Sequence, residues 1–545
     1  MDLLRRMAAI QHAKGAVDDA ALRHLAAETG TPLYRLEGLR GFYPTFRESP
    51  GPSRRVRVCR DVVCRLRGGA DHCDRVRAAL AGYDNVAVEE VSCLGQCDRA
   101  PAVSLDDEPV NGAPRAVAAL IANDESATAN DARPGPPWPT DPYRDASERY
   151  ATLAWLLGDA GDTAGREARI ETVIATLDEV KLAGLGGAAF PTGKKWAFTR
   201  AAAGEEKYVV CNADESEPGT FKDRAILEDQ PHLVIEGMAM GAAVIGARRG
   251  IIYLRHEYTR ARRALQAALG NAYDRGVLGA DSASGFDVEL FVSPGGYILG
   301  EETALLEALE DRRGEPRNKP PFPTNVGLYG KPTLINNVET LAAVPAIVAR
   351  GADWWRNQGR GGHTGLKYVS VCGDVTRPGV YCVPWGTPVS EILAEAGGMA
   401  DGRALRAFSP GGASTPFLPA EKMHTPLDFA ALREAGSGLG TGALVFVGEG
   451  RDLVDVALAQ VRFFRNESCG KCVPCRIGSH KAVEMVEAVL DTEGSELGDE
   501  LKRLNATLAR TSICGLGQVA LLPLVDLFEK FPDAPEVRRL RGETA

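Results

Sequence analysis

Ser468-Cys-Gly-Lys-Cys-Val-Pro-Cys-Arg476 is the segment that constrains the chain most, because it places Cys469, Cys472 and Cys475 in a C-x2-C-x2-C motif. A fourth thiol, Cys514, follows in Thr511-Ser-Ile-Cys-Gly-Leu-Gly517. Three thiolates at this spacing can reach three corners of a cube, and the remote cysteine can reach the fourth corner. Zinc sites favour paired C-x2-C motifs separated by a longer loop, and zinc or buried free thiols are the alternatives. The sequence therefore predicts a [4Fe–4S] cluster in a helical region that is interrupted at the cysteines.

A second set of four cysteines lies near the N-terminus. Cys59 and Cys64 form C-x4-C, Cys93 and Cys97 form C-x3-C, and each pair follows a predicted strand. Two pairs of thiolates on adjacent loops are typical of a [2Fe–2S] rhomb, with one pair on each iron. A zinc site is the alternative here as well. The remaining thiols are expected to be packed and unliganded: Cys73, Cys211, Cys372 and Cys382.

Length and composition limit the classes of function that the chain can have. Its 545 residues exceed what a single hydrophobic core supports, so several domains are expected. A formal net charge of −10 gives no basic surface for nucleic acid. The start of the chain has no signal-peptide core, and the longest apolar run, near residues 237–247, is too short for a membrane span, so we expect a cytoplasmic protein. Twelve cysteines are too few for a disulfide scaffold and are available for metal in a reducing compartment.

The pattern along the chain predicts an α/β multidomain protein. The stretch from Ala127 to Pro142 lacks the apolar content to pack and is expected to be a linker. In the central region apolar strands alternate with helices, among them one helical stretch from Ile226 to Gly246. The predicted segments are a helical segment 1–50, a small α/β domain 51–125, a linker 126–149, an α/β domain 150–362, a strand-rich module 363–447 and a helical region 448–545.

A glycine-rich segment, Gly184-Leu-Gly-Gly-Ala-Ala-Phe-Pro-Thr-Gly-Lys-Lys-Trp196, offers backbone N–H groups that can approach a phosphate or a flat ring. It imitates the Rossmann fingerprint, but that fingerprint follows a strand, whereas residues 170–182 are predicted to be an amphipathic helix. Two acidic segments, Asn212 to Thr220 and Gly295 to Thr303, each follow a predicted strand. Because α/β proteins bind ligands beyond the carboxyl ends of strands, these acids are candidates for binding ribityl or ribose hydroxyls and a carboxamide.

Together these motifs resemble the flavin-bearing, NADH-oxidising subunit of respiratory complex I and its relatives in NAD-linked formate dehydrogenases and NAD-reducing hydrogenases. The resemblance covers about residues 150–535 and includes Lys319-Pro-Pro-Phe-Pro323 and Thr333-Leu-Ile-Asn-Asn-Val-Glu-Thr340. Residues 1 to about 122 resemble the companion subunit of that family, a helical segment followed by a thioredoxin-like [2Fe–2S] domain. The resemblance implies a β-grasp-type (SLBB-like) module at 363–447 and a C-terminal helical bundle that holds the [4Fe–4S] cluster.

The resemblance also implies the residues that bind the cofactors. The residues expected to bind FMN are Gly184, Gly186, Gly187, Lys195, Asn212, Asp214, Ser216, Tyr297, Gly300, Asn336 and Asn337. The residues expected to line the NAD(H) side are Phe190, Lys195, Phe198, Glu217, Glu301, Glu302 and Phe322. Hydride transfer between nicotinamide and flavin needs no protein acid or base at the reacting carbon, so no catalytic residue is predicted.

Three positions depart from the family pattern. Leu185 replaces an Arg that is common in complex I members, Ala189 replaces a Gly, and Leu299 replaces the Cys that usually precedes Gly300. The Gly-Leu-Gly-Gly form occurs in some NAD-linked formate dehydrogenases. Together with the fused [2Fe–2S] domain, it favours the diaphorase (β) subunit of an NAD-dependent formate dehydrogenase, whose partner would be a molybdenum or tungsten α subunit. The alternatives are a complex I or hydrogenase subunit and, from another class, a non-enzymatic iron–sulfur electron-transfer adaptor.

The expected electron path runs from NADH through FMN to the C-terminal cluster and then to the partner, and a formate dehydrogenase would use it in reverse. Flavin accepts an electron pair and releases electrons singly, which suits clusters that carry one electron each. The N-terminal cluster is expected to lie to one side, as a second acceptor or a branch.

Overall fold

Three helices form the N-terminal segment of the chain, whose computed structural model describes residues 2–123, 137–159, 161–491 and 496–543. The first helix ends where Gly15 adopts a left-handed conformation (φ 77°), and the second begins at Asp18, whose side chain accepts from the backbone N–H of Ala21 at 2.7 Å. Leu22 and Leu36 are buried in a core shared with the central domain. The helices are α1 (Leu3–Lys14), α2 (Asp19–Thr29) and α3 (Leu33–Phe42).

A small α/β domain follows the three helices. Its four-stranded sheet has the order β2-β1-β3-β4, with β1 parallel to β2 and antiparallel to β3. Alternate residues of the central strand, such as Val56 and Val58, are fully buried under the helices. The elements are β1 (Arg54–Cys59), α4 (Val62–Gly68), α5 (His72–Leu80), β2 (Val86–Val91), β3 (Val103–Leu105), β4 (Glu108–Val110) and α6 (Pro114–Ala122).

The segment that precedes the central domain packs against its neighbours, contrary to expectation. The Trp138 ring lies 5.0 Å from the Tyr368 ring, centroid to centroid, and the hydroxyls of Thr140 and Tyr368 are hydrogen bonded at 2.7 Å. The Tyr143 hydroxyl donates to buried Glu236 at 2.6 Å. The prediction that this stretch does not pack is therefore wrong for residues 137–143, because a few aromatic contacts outweigh its polar composition. The rest of the predicted linker up to residue 136 lies outside the described residues.

The central domain is built on a parallel sheet with the order β7-β6-β5-β8 and with helices on its faces. The predicted helix from Ile226 to Gly246 is in fact two helices, because Pro231 starts a new helix after Gln230. The elements are α7 (Ala151–Leu157), α8 (Thr163–Glu179), α9 (Thr192–Ala201), β5 (Tyr208–Ala213), α10 (Lys222–Asp229), α11 (Pro231–Ile245), β6 (Arg249–Leu254), α12 (Thr259–Asp274), β7 (Asp287–Val292), α13 (Glu302–Leu309), β8 (Thr333–Asn337) and α14 (Val338–Arg356).

A five-stranded mixed sheet forms the next module, with the order β10-β9-β13-β11-β12. The last strand, β13, lies in the middle, parallel to β9 and antiparallel to β11, as in β-grasp folds. Every residue of β9 and β13 is buried, which explains their continuous apolar character. The elements are β9 (Leu366–Gly373), β10 (Gly379–Pro384), α15 (Val389–Glu395), β11 (Leu405–Ser409), β12 (Leu418–Pro419), α16 (Phe429–Glu434) and β13 (Ala443–Gly448).

The C-terminal region is a bundle of helices whose interruptions coincide with the cysteine motif and with Cys514. None of the described helices combines the length and the hydrophobicity needed to cross a bilayer. The helices are α17 (Leu453–Asn466), α18 (Val473–Asp491), α19 (Gly498–Thr511), α20 (Gly515–Val519), α21 (Leu522–Val525), α22 (Leu527–Lys530) and α23 (Pro535–Leu540).

Buried polar contacts join the N-terminal domain to the central domain. The Arg224 guanidinium forms an ion pair with Asp98 at 2.8 Å and donates to the Gln96 side chain at 2.7 Å. Arg255 of the central domain also donates to the Cys93 carbonyl. These contacts fix the loop that carries Cys93 and Cys97 against the central domain.

Candidate functional site: a flavin and nucleotide cleft beside two thiol clusters

The site forms where the carboxyl ends of β5 and β8 meet. Asn212 lies opposite Asn337 in the register of these two parallel strands. The loop after β7 returns to the same edge, where the Asn212 side-chain amide donates to the Gly300 carbonyl at 2.8 Å. Three segments that are far apart in sequence are thus hydrogen bonded around one opening.

The glycine-rich loop covers this edge and leaves little room for side chains. A Cβ atom on Gly186 would lie 2.9 Å from the Asn337 Cβ, and Gly187 has φ 110°. The Leu185 N–H is held by the Thr340 hydroxyl at 2.9 Å. Within the described ranges, the N–H groups of Gly186 and Gly187 have no hydrogen-bond acceptor. These free donors, in a loop where side chains would collide, fit a flavin phosphate or ring.

Ala189, which departs from the family pattern, has φ 55°. This left-handed conformation is strained for a residue with a side chain, so the position is one that glycine would occupy more easily. The strain lies in the part of the glycine-rich loop that leads into Phe190 at the outer cavity.

An inner cavity of about 350 Å³ lies against this loop and contains most of the predicted flavin ligands. Burial raises the pKa of Asp214 to about 6, although hydrogen bonds from Ser216 and the charge of Arg255 lower it. Ser293 also donates to Asp214, at 2.9 Å. The predicted residues that line the inner cavity are Gly186, Gly187, Asn212, Asp214, Ser216, Glu217, Tyr297, Gly300, Glu301 and Asn337.

An outer cavity of about 1010 Å³ contains most of the residues predicted for NAD(H). Phe190, Phe198 and Phe322 expose 44%, 55% and 52% of their surface around it, which is unusual for large apolar side chains and suits stacking on a flat ring. The predicted residues that line the outer cavity are Gly184, Gly186, Phe190, Lys195, Phe198, Asn212, Gly300, Glu301, Glu302, Phe322, Asn336 and Asn337.

Glu217 departs from the predicted arrangement. It lines the inner cavity with the flavin residues and does not line the outer one with the phenylalanines. Its carboxylate accepts from the Ser414 N–H at 2.7 Å, and burial raises its pKa to about 7 against the lowering effect of Ser414. The sequence could not reveal Ser414 as a wall of this cavity, because it lies almost 200 positions away in the β-grasp module.

Two lysines neutralise the carboxylates of the outer cavity. Lys319 contacts Glu301 at 2.8 Å and Glu302 at 3.0 Å, and Lys195 lies 3.6 Å from Glu302. Burial alone would raise the pKa of Glu302, but Lys195 and Lys319 outweigh it and hold that pKa below its ordinary value. The outer cavity is therefore lined by an ion-pair network, whereas the sequence pattern had drawn attention only to the acids.

The C-terminal thiols lie close enough to influence one another, and one of them, Cys514, borders both cavities. Burial raises the pKa of Cys475 to about 11, and the neighbouring thiols Cys472, Cys514 and Cys469 add to that shift. Burial raises the pKa of Cys514 to about 11, and the nearby backbone N–H groups of Gly517 and Leu516 act against this shift. Amide donors of this kind stabilise sulfur ligands of a cluster. Cys514 lines the inner and the outer cavity, so a cluster on these thiols would adjoin the flavin.

The N-terminal thiols also form one buried group. The sulfurs of Cys93 and Cys97 are 3.5 Å apart, and the neighbouring thiols of Cys64 and Cys93, together with burial, raise the pKa of Cys59. Backbone N–H groups donate to three of the sulfurs at 3.3 Å each: Gly95 to Cys93, Ala102 to Cys64 and Gly219 to Cys97. In residues 2–123, 137–159, 161–491 and 496–543, no group of three or more His, Cys, Asp or Glu side chains is disposed to hold a metal ion. That criterion concerns a single ion with three or more protein ligands. In a [2Fe–2S] rhomb each iron takes two protein thiols, and in a [4Fe–4S] cubane each iron takes one.

Four protein-family models match consecutive parts of the chain. They are the thioredoxin-like [2Fe-2S] ferredoxin at residues 1–123, the Nuo51 FMN-binding domain at 177–346, the SLBB domain at 368–418, and the NADH-ubiquinone oxidoreductase-F iron-sulfur binding region at 455–538. Among curated proteins, the F 2 subunit of the Rhizobium meliloti NADH-quinone oxidoreductase is 44% identical over 65% of this chain and 85% of its own length. The alpha subunit of the NAD-reducing hydrogenase HoxS of Cupriavidus necator is 35% identical over 98% of this chain and 91% of its own.

The chain belongs to this family of NADH-oxidising flavin and iron–sulfur subunits. The crystal structure of NAD+-reducing [NiFe]-hydrogenase in the H2-reduced state contains a chain that superposes with a TM-score of 0.86 at 31% identity, covering 99% of this chain and 93% of that one. The predicted fold class is thereby confirmed, as are FMN, NAD(H), [4Fe–4S] and [2Fe–2S] as cofactors of this diaphorase subunit. The ligand roles of individual residues stay predictions.

Proposed function

We propose that this diaphorase subunit serves an NAD-dependent formate dehydrogenase and exchanges electrons with a cluster-bearing α subunit that contains molybdenum or tungsten. The Gly184-Leu-Gly-Gly187 form of the glycine loop and the fused [2Fe–2S] domain support this assignment. Leu185 is buried, and its backbone, not its side chain, is held by Thr340. The position therefore accepts an apolar residue without loss of the loop.

The proposed electron transfer from the flavin to the C-terminal cluster rests on the position of Cys514. Cys514 borders the cavities expected to hold flavin and nucleotide, and it belongs to the C-terminal thiol set. When bound, FMN supplies the conversion between a two-electron and a one-electron carrier. The chain contributes alignment: the glycine loop leaves space for the ring, and the exposed phenylalanines flank the nicotinamide side.

The residues around the cleft also fix its charge. Lys195 and Lys319 hold Glu301 and Glu302 in place, so the nucleotide meets ordered side chains with little net charge. Asp214 and Glu217 lie deeper, where burial favours their neutral forms. No side chain in this arrangement needs to move a proton to the reacting carbon, which agrees with a hydride exchange between cofactors.

A hydrogenase partner is the second candidate, because the HoxS alpha subunit matches 98% of the chain, including the fused N-terminal domain. NADH-quinone oxidoreductase subunits such as that of Rhizobium meliloti match only 65% of it. The two partners are distinguished by isolating the tagged chain with its natural complex and measuring NAD+ reduction with formate and with H2. Formate-dependent activity with molybdenum or tungsten supports the proposal. H2-dependent activity with nickel replaces it by the second candidate.

A simpler measurement distinguishes a diaphorase from a non-enzymatic electron-transfer adaptor. The isolated chain is expected to show flavin absorbance and to reduce a dye with NADH. A chain with clusters but with neither property would contradict the diaphorase assignment and favour the adaptor.

A further inference from the structure

Buried charges of alternating sign lead from the β-grasp module to the inner cavity. Lys367 of β9 contacts the Glu339 carboxylate at 2.5 Å, and Glu339 contacts Lys222 at 2.9 Å. Lys222 in turn contacts Asp223 at 2.7 Å. These four side chains are between 1% and 5% exposed, so water screens their charges little. We call Lys367, Glu339, Lys222 and Asp223 the charge chain.

The inner end of the charge chain belongs to the flavin site. Lys222 and Asp223 line the inner cavity. Asp223 accepts a hydrogen bond from the Asn337 side-chain amide at 2.6 Å, and the side-chain oxygen of Asn337 accepts from the Glu339 N–H at 3.0 Å. Two members of the charge chain therefore fix the orientation of a predicted flavin ligand.

The charges are held in place against the cost of burial. Burial lowers the pKa of Lys367 to about 8, although Glu339 opposes this shift, so Lys367 is protonated at neutral pH. Burial would raise the pKa of Glu339, but Lys222 and Lys367 outweigh it and hold that pKa below its ordinary value. Buried ion pairs rarely stabilise a fold more than apolar side chains of the same size would, and perturbed charged groups are concentrated at functional sites. The location beside the inner cavity thus indicates a role in the chemistry of the flavin.

We propose that Lys367 is a positioning residue of the flavin site, and that the charge chain sets the reduction potential of the bound flavin from within the β-grasp module. Reduced flavin carries more negative charge than oxidised flavin, so nearby charge decides how readily it accepts electrons. The charge chain has two cations and two anions, and removal of Lys367 leaves one negative charge in excess. The inference concerns the flavin alone and is independent of whether the partner subunit uses formate or H2.

A purely structural role is the alternative, because the same residues also join β9 to α14. Lys367 donates to the Tyr368 carbonyl at 2.8 Å, and the Tyr368 N–H donates to Glu339 at 2.9 Å. Charge compensation distinguishes the two roles. Lys367→Met combined with Glu339→Gln removes one charge of each sign, so it restores neutrality although the ion pair is lost. A structural role predicts that this double variant is disturbed at least as much as Lys367→Met alone, whereas the proposal predicts recovery.

The experiment is a potentiometric titration of the flavin in the full chain loaded with FMN and both clusters. At pH 6 Lys367 keeps its proton, and Glu215, whose pKa burial raises to about 7, is largely protonated and cannot compensate by taking up another proton. Lys367→Met should shift the ratio of oxidised to reduced flavin at a fixed potential about three- to tenfold toward the oxidised form. The double variant should return to within about twofold of the unmodified chain. The matched control Lys422→Met, at an exposed lysine of the same module, should leave the ratio unchanged.

Two further measurements keep the outcomes distinct. FMN content is determined for every variant, and KM for NADH should stay nearly constant, because no member of the charge chain lines the outer cavity. If Lys367→Met does not fold, Lys367→Gln, which keeps a donor for Glu339, takes its place alone and in the double variant. An unchanged flavin potential in the single variant, or a shift that the double variant does not reverse, overturns the proposal. The titration uses neither formate nor H2, so its result is separate from the test of the partner.

Discussion

The backbone N–H of Gly219 donates to the sulfur of Cys97 at 3.3 Å. Gly219 ends the loop that begins at Asn212, so one segment borders the inner cavity and also contacts a predicted ligand of the N-terminal cluster. The position requires glycine, because its φ is 94° and a Cβ atom would lie 2.7 Å from Val445 Cγ2. The flavin site and the [2Fe–2S] site therefore share a backbone contact.

Gly219→Ala should lower the reduction potential of the N-terminal cluster, because displacement of the loop weakens an N–H donor to a sulfur and so disfavours the more negative, reduced state. Potentiometric titration followed by electron paramagnetic resonance measures the shift. Gly402→Ala is the matched control, since Gly402 has φ 68° but no atom within 4 Å of the added Cβ. Equal potentials in both variants would show that the contact does not tune the cluster.

The fully loaded chain should contain six iron atoms and one FMN, two irons at the N-terminal thiols and four at the C-terminal thiols. The remaining cysteines are scattered singly and do not supply another set of four ligands. Elemental analysis of anaerobically purified protein measures both quantities. Zinc at Cys59, Cys64, Cys93 and Cys97 would refute the [2Fe–2S] assignment, and clearly more than six irons per flavin would reveal a further cluster.

Cys472→Ser should remove the [4Fe–4S] signal and stop electron delivery to the partner subunit, while NADH still reduces the flavin. The reason is that electrons should reach FMN but should not leave it, since the cluster that accepts them next is missing. Cys73→Ser is the control, because Cys73 is buried in α5 away from both thiol groups. Normal turnover of the whole complex by Cys472→Ser would remove this cluster from the main path.

The balance of charge at the outer cavity should set how strongly the site prefers NAD(H) to NADP(H). Lys319→Gln removes a positive charge from beside Glu301 and Glu302. The carboxylates should then repel the 2′-phosphate of NADP(H), so the preference for NAD(H) should rise roughly two- to fivefold. Glu302→Gln should lower the preference by a similar factor and raise KM for NADH, with unchanged flavin content. Ratios of kcat/KM for the two nucleotides provide the measurement. Identical ratios in the two variants would contradict this role of the ion-pair network.

Stability should decrease as pH rises through the range in which Glu217 ionises. Burial raises its folded pKa from 4.5 to about 7, so the folded state binds more protons than the unfolded state between these values. The free energy of unfolding then falls with rising pH in this window, by up to about 1.4 kcal/mol per pH unit for one group. Glu217→Gln should reduce this slope in urea unfolding between pH 5 and 7, whereas exposed Glu421→Gln should not. Part of the pH dependence should remain in the Glu217→Gln variant, because burial also raises the pKa of Asp214 to about 6.

The sequence predicted the parts of the site that depend on local pattern. Cysteine spacing indicated both thiol groups, and the predicted strand before the Asn212 to Thr220 segment placed that segment at the carboxyl end of a strand, where it lies. The break at Pro231 was also present in the sequence, since proline is tolerated in the first turn of a helix and disrupts its interior. It was missed because apolar periodicity continues across it.

Contacts between distant segments could not be predicted in this way. Ser414 reaches Glu217 from the β-grasp module, and Lys319 reaches Glu301 and Glu302 from a separate loop. Trp138 packs on Tyr368 although its neighbours are polar. In each case a single side chain makes the contact, and such contacts leave no periodic signal in composition or hydropathy.

The buried ion pair between Arg224 and Asp98 has a consequence for how the chain is joined together. Both side chains are 7% exposed, and they lie between the N-terminal domain and the central domain. Removing one member by substitution would leave the other charge buried and uncompensated between the two domains, which is strongly destabilising. The two domains are therefore held together by contacts between their own side chains as well as by the peptide chain. Two separate polypeptides with the same surfaces would have the contacts needed to assemble without it.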